Sequence, residues 1–359
     1  MADHTERIRQ LVDERVALEN QLQNEHGELS DSASRRYDDS YAAIQRQLAS
    51  LFKDVRDDAQ RITIMLEMMR ILENRLVYLQ HFIVDPSSDS RILAQLVTKF
   101  IDQVSSERSN VLSSLEAIYY RAVAALYAGD VPKARDGFRD ACASEESDEA
   151  NDIKYKSYVI LGHLSHEDRD YVKAKELHDQ SLRYSQNDNV TAQALALKAL
   201  NSYALQDHGE ALRLFEESLK LFNPSQPFFN SYFHRNALLF CGAIYFDRRE
   251  HEASESYYRR VLDAVEQNSY DYFDALSHLG RIHYAQGRYD EAVSMFEKAV
   301  ATHKFSENEY IIDTYFWIAR SHLKRNRADA ARPYLEKIAA SDVRYEKKPQ
   351  AVELLRKVS

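Results

Sequence analysis

The chain has 359 residues, a formal net charge of -10, and only 8 Gly and 6 Pro. This shortage of chain-breaking residues, with abundant Ala, Leu, Arg, Glu and Gln, predicts an all-α fold of long helices joined by short connections. The acidic balance and the absence of any run of five or more Lys or Arg argue against nucleic acid as a partner. No stretch approaches the ~18 apolar residues of a membrane span, and the charged first residues do not resemble a signal peptide, so we expect a cytoplasmic protein without direct membrane insertion.

Residues 1–110 carry apolar side chains at alternating steps of three and four residues, which is the spacing of a coiled-coil seam. The longest seam predicts one helix from about Ser34 to Val84, roughly 75 Å long at 1.5 Å per residue. Its positions are Tyr37, Tyr41, Ile44, Leu48, Leu51, Val55, Asp58, Ile62, Met65, Met69, Leu72, Leu76, Leu79 and Ile83. A shorter seam precedes it at Ile8, Leu11, Arg15, Leu18 and Leu22, and a third helix follows Asp85 and Pro86.

Two interpretations of this helical coiled-coil or bundle segment are open. In the first, helix one folds back on the first half of the long helix and helix three on its second half. In the second, the heptads pair with another copy of the chain in a homodimer, or present a coiled coil to a partner. Asp58, flanked by Asp54 and Asp57, is the candidate position at which one packing partner gives way to the next.

Residues 111–359 repeat one spacing six times. A small residue is followed twelve positions later by another small residue, and four positions after that by a large, mostly apolar one; Gly280, Ala292 and Phe296 form the clearest unit. The other small pairs are Ala122 and Ala134, Gly162 and Ala174, Ala199 and Ala211, Gly242 and Ser254, and Ala319 and Ala331. Their large residues are Phe138, His178, Phe215, Tyr258 and Leu335. Small residues at these positions let the two helices of a hairpin approach closely.

These residues resemble the tetratricopeptide repeat, and the resemblance covers roughly Leu115 to the C-terminus. It implies a right-handed α-solenoid of about six helical hairpins, closed by a capping helix near residues 349–359. Successive units begin 37 to 43 residues apart, against a family period of 34, so we expect longer helices or connections. The predicted domains are therefore an N-terminal helical segment, 1–110, and a repeat array, 111–359.

The resemblance implies that the first helix of each hairpin faces a concave groove, which suits a peptide or a helical segment of a partner. The repeat frame gives nine candidate partner-binding residues: His163, His166, Asn236, His278, Arg281, Tyr284, Trp317, Arg320 and Lys324. It also places tyrosines of the first repeat on this surface, namely Tyr119, Tyr120 and Tyr127.

Arg281 and Arg320 occupy equivalent positions in neighbouring repeats, so we expect both to point at one carboxylate of a bound peptide with an acidic segment. The alternative is that the two arginines form ion pairs with Asp274 and Asp313 on the same helices. Such exposed pairs would contribute little to binding or to stability.

The sequence contains no glycine-rich phosphate loop, HExxH pair, nucleophile elbow or spaced Cys/His cluster. We therefore predict a protein that is not an enzyme and has no cofactor or metal site. The leading hypothesis is an adaptor or scaffold that binds a peptide or helical segment in the groove. The alternative is a peptide-responsive regulator that controls a partner through the N-terminal segment, because a helical bundle followed by long-period repeats is similar to the Rap-type regulators.

Overall fold

The computed structural model describes residues 4–24, 31–78, 88–106, 112–145, 148–226, 230–265, 267, 269–302 and 308–358. Within these ranges the chain forms seventeen α-helices and no strand, which confirms the all-α prediction. Two compact units divide the chain, Met1–His234 and Arg235–Ser359, and each is described by itself. None of the helices in the described ranges combines the length and apolar character needed to cross a membrane.

The N-terminal segment has four helices: α1 (Thr5–Asn24), α2 (Asp31–Asp54), α3 (Asp58–Tyr78) and α4 (Ser88–Ser106). The prediction of one helix from Ser34 to Val84 is therefore wrong. The chain breaks after Asp54, and Asp57 caps α3 by accepting a hydrogen bond from the backbone N–H of Gln60 at 2.9 Å. A cluster of acidic residues favours a helix start because a carboxylate accepts from the free N–H groups there and its charge complements the helix dipole. Leu79, Ile83, Asp85 and Pro86 of the predicted segment lie outside the described residues.

The break allows α2 and α3 to pack on each other, with α1 against both. The seam residues are buried within this one chain: Tyr41, Leu48, Met65, Met69 and Leu72 are each 1% exposed or less. Arg15, at a seam position of α1, forms an ion pair with Glu67 of α3, with Nε and Oε2 2.6 Å apart. The heptads thus serve packing between helices of the same chain, and a homodimer through these positions would require this bundle to open.

A single hydrophobic core joins the N-terminal helices to the first repeats. Its buried residues run from Ile8 of α1 to Leu164 of α7. The domain boundary predicted near residue 110 falls at residues that are not described, inside the first compact unit, and stays a prediction.

Six helical hairpins follow the N-terminal segment. They are α5 (Ser114–Tyr127) with α6 (Val131–Cys142), α7 (Asp148–Glu167) with α8 (Tyr171–Leu182), α9 (Asp188–Ala204) with α10 (His208–Leu221), α11 (Ser231–Asp247) with α12 (His251–Ala264), α13 (Tyr270–Ala285) with α14 (Tyr289–Thr302), and α15 (Glu309–Lys324) with α16 (Ala328–Ala340); α17 (Lys348–Val358) packs on α16. Each hairpin turn contains one residue with φ between 55° and 82°: Gly129, Arg169, Gln206, Arg249, Gly287 and Asn326. This left-handed residue ends the first helix, so the six turns share one geometry.

The predicted contact between small and large residues is present in both units. A Cβ atom added to Gly280 would lie 2.5 Å from Cε1 of Phe296, and one added to Gly162 would lie 2.5 Å from Cε1 of His178. The ring of the large residue therefore rests directly on the backbone of the first helix, and no side chain fits there without displacing it. His178, the weakest match of the sequence pattern, occupies the same buried position as Phe296.

Candidate peptide-binding site

The candidate site of the second unit is built on α13 and α15, the first helices of the last two hairpins. Ser269 caps α13 through the N–H of Tyr272, and Asn308 caps α15 through two N–H groups, so the register of each helix is fixed at its start. Residues three apart share a helix face. His278, Arg281 and Tyr284 therefore line one face of α13, and Trp317 and Arg320 line one face of α15.

Aromatic rings hold both guanidinium groups. The Cζ atom of Arg281 lies 5.6 Å from the ring centre of Phe246 on α11 and 5.5 Å from that of Trp317. The Cζ atom of Arg320 lies 5.0 Å from the centre of Trp317 and 5.3 Å from that of Tyr284. The rings of Tyr284 and Trp317 meet edge to face at 5.0 Å. Each cation is thus attracted by the electron-rich faces of its rings.

Asp313, the predicted alternative partner of Arg320, is occupied by three other donors. The Nε1–H of Trp317 donates to Oδ2 at 2.9 Å, while the Tyr345 hydroxyl and the Lys347 ammonium both donate to Oδ1 at 2.7 Å. Burial raises the pKa of Asp313, but the hydrogen bonds from Lys347 and Tyr345 outweigh it and hold the pKa below its usual value. Asp313 therefore stays charged and fixes the indole in place. Tyr345 and Lys347 follow α16, and no sequence pattern had pointed to them.

Asp274, the predicted partner of Arg281, contacts His278 instead, with Nε2 and Oδ1 3.7 Å apart. The ring of His278 stacks on Tyr258 with centres 4.7 Å apart. Burial, and secondly the charge of Arg281, lower the pKa of His278 to about 3, so the imidazole is neutral at pH 7. Burial and the nearby Asp271 raise the pKa of Asp274 to about 6.

Among the described residues, no carboxylate oxygen lies within 4.0 Å of Arg281 or Arg320, which is the limit for an ion pair. The Nε of Arg281, the hydroxyl of Tyr284 and Nδ1 of His278 are buried and have no hydrogen-bond partner among the described residues. An unsatisfied buried polar atom is unfavourable by about 1–3 kcal/mol. The site thus contains polar atoms whose burial is not compensated by a hydrogen bond among the described residues.

The family comparison agrees with this repeat geometry. A model described as tetratricopeptide repeat matches residues 234–304 and 271–342, the part of the chain that carries the candidate site. The chain contains tetratricopeptide repeats. No curated protein sequence matches it.

Solved structures are similar at low sequence identity. The Signal Transduction ATPase with Numerous Domains protein with a tetratricopeptide repeat sensor, from Pyrococcus horikoshii, is 16% identical with a TM-score of 0.56; the match covers 92% of this chain and 50% of that one. BtubC from P. vanneervenii is 15% identical with a TM-score of 0.49, over 68% and 92% of the two chains. YrrB, described as a protein with an unusual peptide-binding site, is 15% identical with a TM-score of 0.40, over 56% and 86%. At these identities the likeness shows the fold alone.

The other candidate residues do not join the arginine cluster of the last two tetratricopeptide repeats. Lys324 is exposed at the end of α15. Asn236 lies ten residues before Phe246 on α11, about 15 Å along the helix axis. His163 and His166 belong to the first unit, where their rings stack at 6.4 Å and Nδ1 of His166 lies 2.8 Å from Oδ1 of Asn201. The described residues contain no group of three His, Cys, Asp or Glu side chains arranged to hold a metal ion.

The inner face of the first tetratricopeptide repeat is covered by α3. Tyr127 donates a hydrogen bond to the backbone oxygen of Leu72 at 3.0 Å, and Tyr120 donates to Glu73 at 3.1 Å. Lys156, on the first helix of the next repeat, forms an ion pair with the same Glu73 at 2.6 Å. The predicted groove tyrosines of this repeat therefore serve contacts within the chain.

Proposed function

We propose that this protein is a non-enzymatic adaptor whose last two repeats bind an acidic peptide segment of a partner protein. The observation that supports the proposal is the pair of guanidinium groups, Arg281 and Arg320, which lie over aromatic rings without an acidic partner among the described residues. Tetratricopeptide repeats stack into extended surfaces of the kind that bind peptides.

The physical argument rests on preorganisation. Ring contacts hold each guanidinium group in place before the ligand arrives, so less side-chain entropy is lost on binding. Partial burial weakens the screening of their charges by water. Carboxylates bind guanidinium groups through two parallel hydrogen bonds, and Trp, Tyr and Arg are the residues enriched in binding hot spots.

The test compares two double variants that remove the same charge. Arg281→Ala with Arg320→Ala removes the proposed site. Arg325→Ala with Arg327→Ala is the matched control, because these two arginines lie in the same unit but already form ion pairs with Asp290 at 3.0 and 2.9 Å. Partners recovered by affinity purification with the wild-type chain are then titrated against all three proteins.

We expect the site variant to lose ~2 kcal/mol or more of binding free energy, about 30-fold in Kd, because hot-spot truncations reach that size. The affinity of the control variant should fall by less than about threefold. Equal affinity of the site variant and the wild-type chain would end the proposal, and equal losses in the two variants would reduce it to non-specific charge attraction.

The second candidate function is a peptide-responsive regulator that acts through its N-terminal helices. One observation favours it: Glu73 of α3 binds Tyr120 and Lys156 of the repeats, so the N-terminal segment and the repeat surface share contacts. Hydrogen exchange of α1 to α4, measured with and without the bound partner peptide, separates the two functions. Unchanged exchange in these helices is the result expected of an adaptor, and faster or slower exchange is the result expected of a regulator.

A further inference from the structure

Each arginine of the site contacts Trp317 and further rings of its own. Arg281 contacts Phe246 of α11 and Trp317 of α15, whereas Arg320 contacts Tyr284 of α13 and, at 5.7 Å, Phe316 of its own helix. Rings against the guanidinium groups favour binding at the N–H edges, which is the geometry of bidentate recognition of a carboxylate.

The shared ring of Trp317 limits the distance between the two cations. Their Cζ atoms lie 5.5 and 5.0 Å from the same ring centre, so they are at most about 11 Å apart. Phe246 contacts Arg281 and Tyr284 contacts Arg320, so each guanidinium group also has an attractive ring contact that the other lacks. This limit allows either one shared carboxylate or one carboxylate for each arginine.

The charged groups near Arg281 and Arg320 favour a ligand with two carboxylates. Asp313 is taken by Lys347, and Asp271 forms an ion pair with Arg235. Asp274 interacts electrostatically with Arg281 but forms its ion-pair contact with His278. Neither site arginine has an ion pair within the described residues, so a ligand can neutralise two positive charges here. One carboxylate would leave one of them unpaired.

We infer that the bound peptide carries two acidic side chains, two residues apart in an extended stretch, and that each arginine binds one of them. This inference rests on the proposed function. An extended chain rises about 3.3 Å per residue, so this spacing corresponds to roughly 7 Å and falls within the limit set by the indole ring. Residues one or three apart point to opposite sides of such a chain, and residues four or more apart span about 13 Å or more.

The experiment selects ligands from a bead library of random dodecapeptides coupled through their carboxyl ends, so that only side chains supply carboxylates. The full-length wild-type protein is the bait, and the Arg281→Ala with Arg320→Ala variant removes peptides that bind elsewhere. Trp317 is the only tryptophan of the chain, so its fluorescence reports binding at this site without a label. Circular dichroism of the variant is the control that tests whether its helical fold is kept.

We expect the selected peptides to share two acidic residues at a spacing of two. Selected peptides that depend on the arginines but contain a single acidic residue, or pairs at random spacing, would overturn the inference and leave the proposed function standing. Absence of any arginine-dependent peptide would overturn both.

A pairwise exchange then assigns the contacts. Each acidic residue of a selected peptide is replaced in turn by its amide, and the peptides are titrated against the single variants Arg281→Ala and Arg320→Ala. With one carboxylate per arginine, each amide peptide loses about tenfold in affinity against the wild-type protein. Its affinity falls no further when the arginine that bound the replaced acidic residue is also substituted. Its affinity falls about tenfold more when the other arginine is substituted. If either amide replacement removes the effect of both arginine substitutions, the two arginines share one carboxylate and the inference is wrong.

Discussion

The first repeat and the last two repeats carry aromatic and charged side chains on the same face of their first helices, yet these side chains have different surroundings. In the first repeat, Tyr120 and the neighbouring Lys156 meet Glu73 of α3. In the last two repeats, Arg281 and Arg320 meet only rings among the described residues. The first helices thus pack against a helix of the same chain in the first repeat, whereas in the last two repeats the arginines contact rings and no carboxylate among the described residues.

The same contrast holds for the basic residues of the other repeats. In the first unit, Lys175 forms an ion pair with Glu210, and Lys198 forms one with Asp179. Each of these lysines has an acidic neighbour from another helix, so its charge is already neutralised. The difference teaches that a cation in a repeat does not by itself indicate a binding residue, because its ion pairs within the chain decide whether its charge is available to a ligand.

The largest expected effect tests the frame on which this comparison rests. Gly280→Leu should destabilise the second unit by about 3 kcal/mol, because a side chain at this position overlaps the ring of Phe296. Ala285→Leu, on the exposed side of the same helix, is the control and should change little. Thermal unfolding followed by circular dichroism measures both variants. An unchanged melting temperature for Gly280→Leu would mean that the repeat frame, from which the inner-face residues were assigned, is wrong.

A second variant removes the partner that covers the first repeat. Glu73→Gln should lower stability by about 2 kcal/mol, since it leaves the half-buried Lys156 with only Asp152 as an ion-pair partner. Glu217→Gln, which weakens an exposed pair with Arg213, should lower it by no more than about 1 kcal/mol. Denaturant unfolding gives both values. Equal stability of the two variants would mean that the Glu73 contacts do not hold α3 on the repeat.

The third prediction uses His178, which stands in the first unit where Phe296 stands in the second. Burial, and then the charges of His163 and His166, lower the pKa of His178 to about 3 in the folded protein. An unfolded histidine has a pKa near 6.5, so the stabilising effect of the neutral ring is complete above that pH and is lost as the pH falls from about 6.5 towards 3.

At pH 5 this loss amounts to about 2 kcal/mol relative to pH 7. His178→Phe should therefore unfold with a smaller difference between pH 7 and pH 5 than the wild-type chain, by about that amount. Denaturant unfolding of both proteins at both pH values provides the measurement. The same pH dependence in the two proteins would show that His178 does not take up the proton on unfolding.

The smallest expected effect concerns the arginines. Arg281→Ala with Arg320→Ala should lower stability by about 1 kcal/mol or less, because ring contacts are lost but no ion pair is broken. Measured beside Glu73→Gln, this variant sharpens the comparison between the face that packs on α3 and the face that we propose to bind a peptide. A loss as large as that of Glu73→Gln would assign the arginines to packing.

The sequence by itself determined the class of fold, the six hairpins and the small residues that meet the large rings. These features depend on spacings of twelve and sixteen residues within one hairpin, which a linear sequence displays directly. It also placed Arg281, Tyr284, Trp317 and Arg320 on adjoining helix faces, because residues three apart share a face.

Only the tertiary structure decided which of these faces is covered. Glu73 and Lys156 are 83 positions apart, and Asp313 and Lys347 are 34 apart, so no periodic pattern relates the members of either pair. The break after Asp54 was equally hidden, because the three and four spacing of the seam continues unchanged through it. A seam of apolar residues specifies that a helix face must be buried, but the partner that buries it is set by how the chain folds back on itself.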